Sequence, residues 1–159
     1  MSGTKVKKLA SLKRIAAALN KKGRKIVFTN GCFDILHYGH VMYLEKAKRS
    51  GDCLIVGINS DLSVKKIKGP NRPIVNEFDR ARVLAGLQSV DFVVIFNEET
   101  PLKLIQALKP DVLIKGYDWK NKGIVGSDFV KSYGGKVLTV KLAKGRSTTN
   151  LIKQIAKTY

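Results

Sequence analysis

The sequence is poor in cysteine and has no long apolar run. Its two cysteines, Cys32 and Cys53, are too few for a disulfide framework, so we expect a reduced, cytoplasmic protein. No apolar run approaches the roughly 20 residues that a membrane-spanning helix needs. The basic amino-terminal stretch also lacks the uninterrupted apolar segment of a secretory signal. We therefore expect no membrane association.

Acidic residues are scarce as well. The 12 Asp and Glu residues stand against 30 Lys and Arg residues, and the resulting net charge of +18 favours anionic partners. Such a partner can be a nucleic acid, or a nucleoside triphosphate together with a sugar phosphate. No aromatic residues interleave with the basic ones as they do in single-strand binders, so we expect no nucleic-acid partner. A basic domain that binds nucleic acid, and is not an enzyme, remains an alternative function.

Apolar residues are plentiful, at 44% of 159 residues, which is enough for one domain with a buried core. Their spacing predicts an amphipathic helix within residues 1–24 and strands at 25–29, 53–58, 92–96, 112–114 and 136–140, with helices between them. Residues 59–75 are predicted to form a long functional loop. The pattern predicts one Rossmann-like α/β domain with a five-stranded parallel sheet and helices on both faces. We expect residues 25–159 to form most of this domain and the helix of residues 1–24 to pack as part of it.

The residues directly after the first strand are the strongest candidates for a ligand site, because ligands of such sheets bind at the carboxyl ends of the strands. Both histidines, His37 and His40, lie there, where the next helix is predicted to begin. A helix amino terminus offers free N–H groups and a partial positive charge to an anion. Two imidazoles beside it can donate hydrogen bonds to phosphate oxygens as charge develops. The segment therefore predicts a phosphate site for a nucleotide.

The two commonest glycine-rich phosphate motifs do not account for this segment. Neither the phosphate loop G-x-x-x-x-G-K-[ST] nor the dinucleotide fingerprint G-x-G-x-x-G occurs in the sequence. A zinc site formed by Cys32, His37 and His40 is conceivable, but only Cys53 remains as a fourth ligand, and it lies inside a predicted strand. A purely structural pair of histidines stays open as the simplest alternative.

Two segments carry a resemblance to a known family. Residues 31–40, GCFDILHYGH, resemble the H-x-G-H signature of the cytidylyltransferase-like nucleotidyltransferases, and residues 147–149, STT, resemble their second signature. The similarity extends over about residues 25–158. Within this family, the stretches at 59–61, 65–69, 72–74, 112–118 and 146–150 are most similar to bacterial heptose 1-phosphate adenylyltransferases.

The resemblance implies the reaction. It implies transfer of AMP from ATP to a heptose 1-phosphate, which gives ADP-heptose and pyrophosphate for lipopolysaccharide or other surface polysaccharides. The alternative within the family is a cytidylyltransferase acting on glycerol 3-phosphate or another phosphorylated polyol. Those relatives carry an arginine shortly before the second signature, where this chain has Leu142 and Ala143. The oligomeric state is left open by the sequence, and a homo-oligomer is one of the options.

The resemblance also implies three groups of site residues. The catalytic group consists of His37, His40 and Lys68. The nucleotide-binding group consists of Gly31, Cys32, Phe33, Asp34, Lys65, Lys115, Gly116, Arg146, Ser147, Thr148 and Thr149. The sugar-phosphate group consists of Asn59, Asp61, Arg72, Arg80 and Asp118. Mg²⁺ is the expected cofactor, and Asp34 would either orient the first signature or help to hold this ion, without a dedicated metal site in the protein.

Overall fold

Five parallel strands form the centre of the protein in a computed structural model that describes residues 5–158. The strands are β1 (Ile26–Gly31), β2 (Cys53–Asn59), β3 (Phe92–Phe96), β4 (Val112–Gly116) and β5 (Lys136–Val140), and their order in the sheet is β3-β2-β1-β4-β5. Each neighbouring pair is parallel. The central strands are almost continuously apolar because both faces of the sheet are covered.

Seven helices lie along the described chain and cover both faces of the sheet. They are α1 (Leu9–Lys21), α2 (Tyr38–Lys48), α3 (Asp61–Lys68), α4 (Glu77–Ala85), α5 (Leu102–Leu108), α6 (Ser127–Ser132) and α7 (Thr148–Thr158). The core has two halves because successive strand residues point to opposite faces. Val27 packs with side chains of α2 and α4, whereas Phe28 packs with side chains of α1, α5 and α6. The predicted fold class, a Rossmann-like α/β domain, is confirmed.

One predicted element is wrong. The segment 59–75 is not a single loop, because α3 occupies residues 61–68 within it. The Ser60 hydroxyl caps this helix by accepting a hydrogen bond from the Ser63 N–H, and Val64 is fully buried beneath it. The lysines of this segment therefore lie on a helix rather than on a flexible loop.

The amino-terminal segment contributes to the sheet as well as to the core. Val6 forms a parallel bridge with Val93 at the outer edge of β3, and the α1 residues Leu12 and Ala16 are buried in the second half of the core. Residues 1–4 and Tyr159, which the predicted domain limits 1–24 and 25–159 include, lie outside the described residues. Within residues 5–158, no helix has both the length and the apolar character needed to cross a membrane.

The strand order places the switch point of the sheet between β1 and β4. From β1 the chain proceeds to β2 and β3 on one side of the sheet, whereas β4 and β5 lie on the other side. Loops leaving neighbouring strands in opposite directions open a crevice at the carboxyl ends of the strands. The carboxyl ends of β1 and β4 are Gly31 and Gly116, and the candidate site lies beside them.

Candidate active site

Two adjoining cavities form one cleft at the carboxyl ends of β1 and β4. The first, here called the Arg146 cavity, has a volume of about 270 Å³, and the second, the Arg72 cavity, has a volume of about 700 Å³. The residues that line both cavities, called the shared wall below, are Asn30, Gly31, Cys32, Phe33, His40, Lys115, Trp119 and Thr148. Ligands bound in the two cavities would therefore contact the same wall.

His37 forms the amino-terminal cap of α2. Its Nδ1 accepts a hydrogen bond from the Gly39 N–H at 3.1 Å, so in the neutral imidazole the proton is on Nε2. The glycine is required by close packing, because a Cβ at Gly39 would lie 3.0 Å from the His37 ring and 3.2 Å from the Arg146 Cβ. The cap thus fixes the tautomer and leaves the Nε2–H donor for a ligand in the Arg146 cavity.

His40 lies one turn along, stacked on His37 with 3.8 Å between ring centroids. Burial, assisted by His37, lowers the pKa of His40 from 6.5 to about 4. Burial also lowers the pKa of His37, and the nearby Arg146 guanidinium acts in the same direction. Both imidazoles are therefore neutral at pH 7 and can each donate one N–H without bringing a further charge into the cleft.

The depressed pKa of His40 predicts a loss of stability in acid. Between pH 6.5 and about 4 the unfolded chain binds a proton on this imidazole and the folded protein does not, so the free energy of unfolding falls as the pH is lowered through this window. We expect a His40→Gln variant to lose less stability than the parent between pH 7 and 4.5. Denaturant titrations at a series of pH values measure this, and identical pH slopes for the two proteins would contradict it.

The amino terminus of α7 faces that of α2 across the Arg146 cavity. The Ser147 hydroxyl caps α7 by accepting a hydrogen bond from the Asn150 N–H at 3.1 Å. The Thr148 hydroxyl donates to the Ile35 carbonyl at 3.4 Å and so joins the second signature to the first. Thr149 lines the Arg72 cavity. The two predicted phosphate-binding segments are therefore brought together, with both helix amino termini at one cleft, and the positive end of a helix dipole favours an anion there.

Lys115 places a positive charge in the shared wall. The residue is only 8% exposed, and its Nζ lies 5.3 Å from the centre of the Trp119 ring. Burial lowers the pKa of Lys115 to about 8, although Cys32 and Asp118 act in the opposite direction. A buried ammonium is stabilised by an anion, so this residue favours a phosphate in the shared wall.

Further polar and basic groups line the Arg72 cavity. Lys68 stands at the end of α3, and Arg72 follows in the segment before α4. Asn59, at the end of β2, donates from Nδ2 to the Ser63 hydroxyl at 2.9 Å. Burial raises the pKa of the Cys32 thiol, so this side chain is an uncharged part of the wall. The Arg72 cavity thus combines cationic and neutral polar groups, which suits a phosphorylated polar molecule.

Asp34 is engaged by the protein rather than directed at a ligand. Its carboxylate accepts hydrogen bonds from Arg72 Nε at 2.6 Å and from the backbone N–H groups of Ile74 and Val75 at 2.9 Å. Burial alone would raise the pKa of Asp34, but these hydrogen bonds outweigh it and lower the pKa. Of its two predicted roles, these contacts fit the one of orienting the first signature.

Arg80 and Asp61 form an ion pair with each other outside the lining of the cleft. The Arg80 side chain is completely buried and donates to the Val75 carbonyl at 2.9 Å, to the Cys32 carbonyl at 2.6 Å and to the Asp61 carboxylate at 2.7 Å. Neither residue lines either cavity. The guanidinium donors of Arg80 are thus engaged by the protein itself, and the direct contacts of Arg80 and Asp61 with a sugar phosphate stay predictions.

Two other predicted residues lie outside the cleft lining. Lys65 is exposed on α3, and Asp118 is exposed in the short 3-10 turn Tyr117–Trp119 that follows β4. Their roles in binding stay predictions. Conversely, the cleft includes Asn30, Tyr43 and Trp119, which the sequence patterns do not assign to the site. Asn30 could have been found from its place at the end of β1, because it precedes the first signature directly.

Comparison with known proteins agrees with this geometry. The profile of the cytidylyltransferase-like family matches residues 28–156. The chain is 54% identical over 158 residues to the bifunctional protein HldE of Geobacter metallireducens, and 57% identical over 145 residues to that of Wolinella succinogenes. These alignments cover 99% and 91% of this chain but only 32% and 30% of the relatives, so the chain spans about a third of their length.

Two solved structures share the fold. The lipopolysaccharide core biosynthesis protein of Thermoplasma volcanium superimposes with a TM-score of 0.62 and 32% identity, covering 78% of this chain and 100% of that one. The pantoate-β-alanine ligase of Francisella tularensis, in complex with β-γ ATP and β-alanine, superimposes with a TM-score of 0.60 over 96% of this chain and 78% of that one. At 18% identity this second likeness supports the fold alone. The chain therefore belongs to the cytidylyltransferase-like family of nucleotidyltransferases.

Proposed function

We propose that the protein transfers AMP from ATP to a heptose 1-phosphate, giving ADP-heptose and pyrophosphate. The observation that carries this proposal is the convergence of two helix amino termini, two neutral imidazoles and the buried Lys115 on one cleft with two cavities. One cavity suits a nucleoside triphosphate, and the adjoining cationic cavity suits a phosphorylated acceptor. The likeness to HldE proteins and to a lipopolysaccharide core biosynthesis protein supports a place in the cytoplasmic supply of surface polysaccharide precursors.

The reaction is an in-line displacement at the α-phosphorus of ATP. A phosphate oxygen of the sugar phosphate forms the new O–P bond, the bond from the α-phosphorus to the β-phosphate oxygen breaks, and the electron pair leaves with pyrophosphate. The attacking phosphate is ionised near neutral pH, so no strong general base is required. Catalysis then consists of positioning the reactants and stabilising the developing charge.

Each part of the cleft has a role in this proposal. The N–H groups of His37 and His40 stabilise charge at the α-phosphate and on the leaving pyrophosphate, and Lys115 neutralises charge from the shared wall. The amino terminus of α7, with Ser147 and Thr148, binds the terminal phosphates. The Arg72 cavity holds the acceptor.

The proposal includes Mg²⁺ as an ion that the nucleotide carries into the cleft. Among residues 5–158 no three His, Cys, Asp or Glu side chains are grouped to hold a metal. Asp34 has its oxygens occupied by protein donors. Mg²⁺ is commonly held by substrate phosphates and water, and bound in that way it would neutralise part of the triphosphate charge.

The oligomeric state is a separate question, and a homo-oligomer remains a prediction.

A substrate panel tests the proposed function. We expect ATP with a heptose 1-phosphate to exceed CTP with glycerol 3-phosphate by orders of magnitude in kcat/KM, because a base is discriminated through a few buried hydrogen bonds. Pyrophosphate release is measured for each triphosphate with each acceptor, including both anomers of the sugar phosphate. If CTP is preferred with every acceptor, the heptose assignment fails and the cytidylyl alternative replaces it. If no triphosphate releases pyrophosphate with any acceptor, and the protein is retained on DNA in a salt-sensitive manner, the nucleic-acid alternative is favoured.

A further inference from the structure

Two buried side-chain atoms have no hydrogen-bond partner within the described chain, and both lie in the shared wall. They are the Asn30 Oδ1 and the His40 Nδ1. Buried polar atoms in native proteins nearly always have a partner, so an exception requires a physical reason. The two exceptions line both cavities of the candidate site, which indicates that a bound ligand supplies the missing partners.

Asn30 lies in the shared wall, where the two cavities adjoin. The neighbouring Thr29 hydroxyl is hydrogen-bonded to the Tyr43 hydroxyl of α2, at 2.7 Å. Successive side chains in a strand point to opposite faces, so Asn30 lies on the other face from Thr29. At the penultimate position of β1 it is beyond the apolar core and lines both the Arg146 and the Arg72 cavity. It is therefore placed to contact a ligand in either cavity.

The chemistry of an amide narrows the ligand group that Asn30 recognises. The oxygen of a side-chain amide only accepts hydrogen bonds, whereas its nitrogen only donates them. A fully ionised phosphate has no proton to give to Oδ1, so the missing partner must carry an O–H or N–H donor, as a sugar hydroxyl does. A sugar 1-phosphate presents such a pair, since the C2 hydroxyl is adjacent to the carbon that carries the phosphate.

We propose that Asn30 determines acceptor specificity by recognising the C2 hydroxyl beside the C1 phosphate of the sugar. Its Oδ1 accepts a hydrogen bond from this hydroxyl, and its Nδ2 donates one to a phosphate oxygen. This inference rests on the proposed function, which supplies the sugar 1-phosphate as acceptor. It adds a specificity-determining residue that selects acceptors with a hydroxyl at C2 over those without one.

The test compares a heptose 1-phosphate with its 2-deoxy analogue in the wild type and in Asn30→Ala. A site built to bind a hydroxyl rejects the analogue that lacks it, because its own polar group is then left unpaired. We expect the wild type to prefer the hydroxylated acceptor by about 10²-fold or more in kcat/KM. In Asn30→Ala the preference falls to within about threefold, mainly through a loss with the hydroxylated acceptor.

Matched variants separate recognition from general disturbance of the site. Asn30→Asp retains an acceptor oxygen but loses the Nδ2 donor, so it keeps a preference for the C2 hydroxyl while turnover with both acceptors falls. Thr100→Ala, at the Arg72 cavity, changes kcat/KM for both acceptors by the same factor. Equal losses with both acceptors in Asn30→Ala would overturn the proposal. So would a changed preference between ATP and 2′-deoxy-ATP with the acceptor preference unaltered.

A binding measurement makes the result independent of turnover. Isothermal titration of the wild type with both sugar phosphates, in the presence of a non-hydrolysable ATP analogue, is expected to show tighter binding of the hydroxylated one. If no acceptor supports pyrophosphate release, the proposed function fails, and the titration still decides the role of Asn30. Equal affinity for the two sugars in the wild type would overturn the inference even if the enzyme is active. Melting curves of the variants confirm that each remains folded.

Discussion

Replacement of His40 by alanine is expected to lower kcat by about 10² to 10³-fold with little change in melting temperature. The reason is that the imidazole is neutral, stands in the shared wall and has an unpartnered Nδ1, so its hydrogen-bonding capacity is directed to a ligand rather than to the fold. Losing one donor to a developing oxyanion has a cost of this size. Steady-state kinetics and thermal melts on the same preparations measure both effects.

His37 needs a matched pair of variants because it has a structural function too. His37→Ala removes both the Nε2–H donor and the cap on α2, and loss of a cap costs about 0.5 to 2 kcal/mol. His37→Asn retains a side-chain acceptor suited to capping but has no imidazole. We expect both variants to lose turnover as His40→Ala does, and only His37→Ala to lose stability. Full activity in all three proteins would refute the catalytic assignment, whereas equal loss of fold and activity would show that the histidines are structural.

Replacement of Arg80 by methionine is expected to lower the free energy of unfolding by about 3 to 5 kcal/mol. The variant leaves the carbonyl groups of Cys32 and Val75 without their donor and the Asp61 carboxylate without its cation. Most of this cost comes from the two carbonyl groups that lose their donor, because the Asp61 side chain is 34% exposed and can be solvated instead. Denaturant-induced unfolding at pH 7 measures this loss.

Arg82 provides the control for this experiment. It lies on the same helix, α4, but is exposed, so Arg82→Met is expected to change stability by no more than about 0.5 kcal/mol. The two variants remove the same charge, and only burial distinguishes them. A stable Arg80→Met protein with a raised KM for the sugar phosphate would contradict the structural role and restore the direct contact that the family resemblance implies.

The strands and most of the helices follow from local patterns in the sequence. The strands at 92–96 and 136–140 coincide with the predicted ones, because short apolar runs between turn residues leave little choice of conformation. Asn76 marks the start of α4, where its side chain accepts a hydrogen bond from the Asp79 N–H at 3.0 Å. The prediction of a loop over residues 61–68 is wrong because the many lysines there mask a capped helix whose only buried apolar residue is Val64.

The sequence predicts the candidate site as a set of segments, and 15 of the 19 predicted residues line the cleft. This agreement has a physical basis, because the carboxyl ends of parallel strands meet at one edge whatever the side chains are. The exceptions, such as Lys65 and Asp118, stand in the correct segments but point elsewhere. The strand order determines which segments lie at the cleft. Whether a given side chain points into the cleft depends on its position around its own helix or turn.

Tertiary structure alone decided which polar groups are available to a ligand. The family resemblance assigns Arg80 to a phosphate, yet its donors are taken by Cys32, 48 residues away, and by Asp61, 19 residues away. Asn30 belongs to no recognised motif, yet its Oδ1 is buried without a partner in the described chain. The type of a residue determines which hydrogen bonds its side chain can form. Whether they are already formed depends on neighbours distant in the chain, and these meet only when the sheet and its helices have packed.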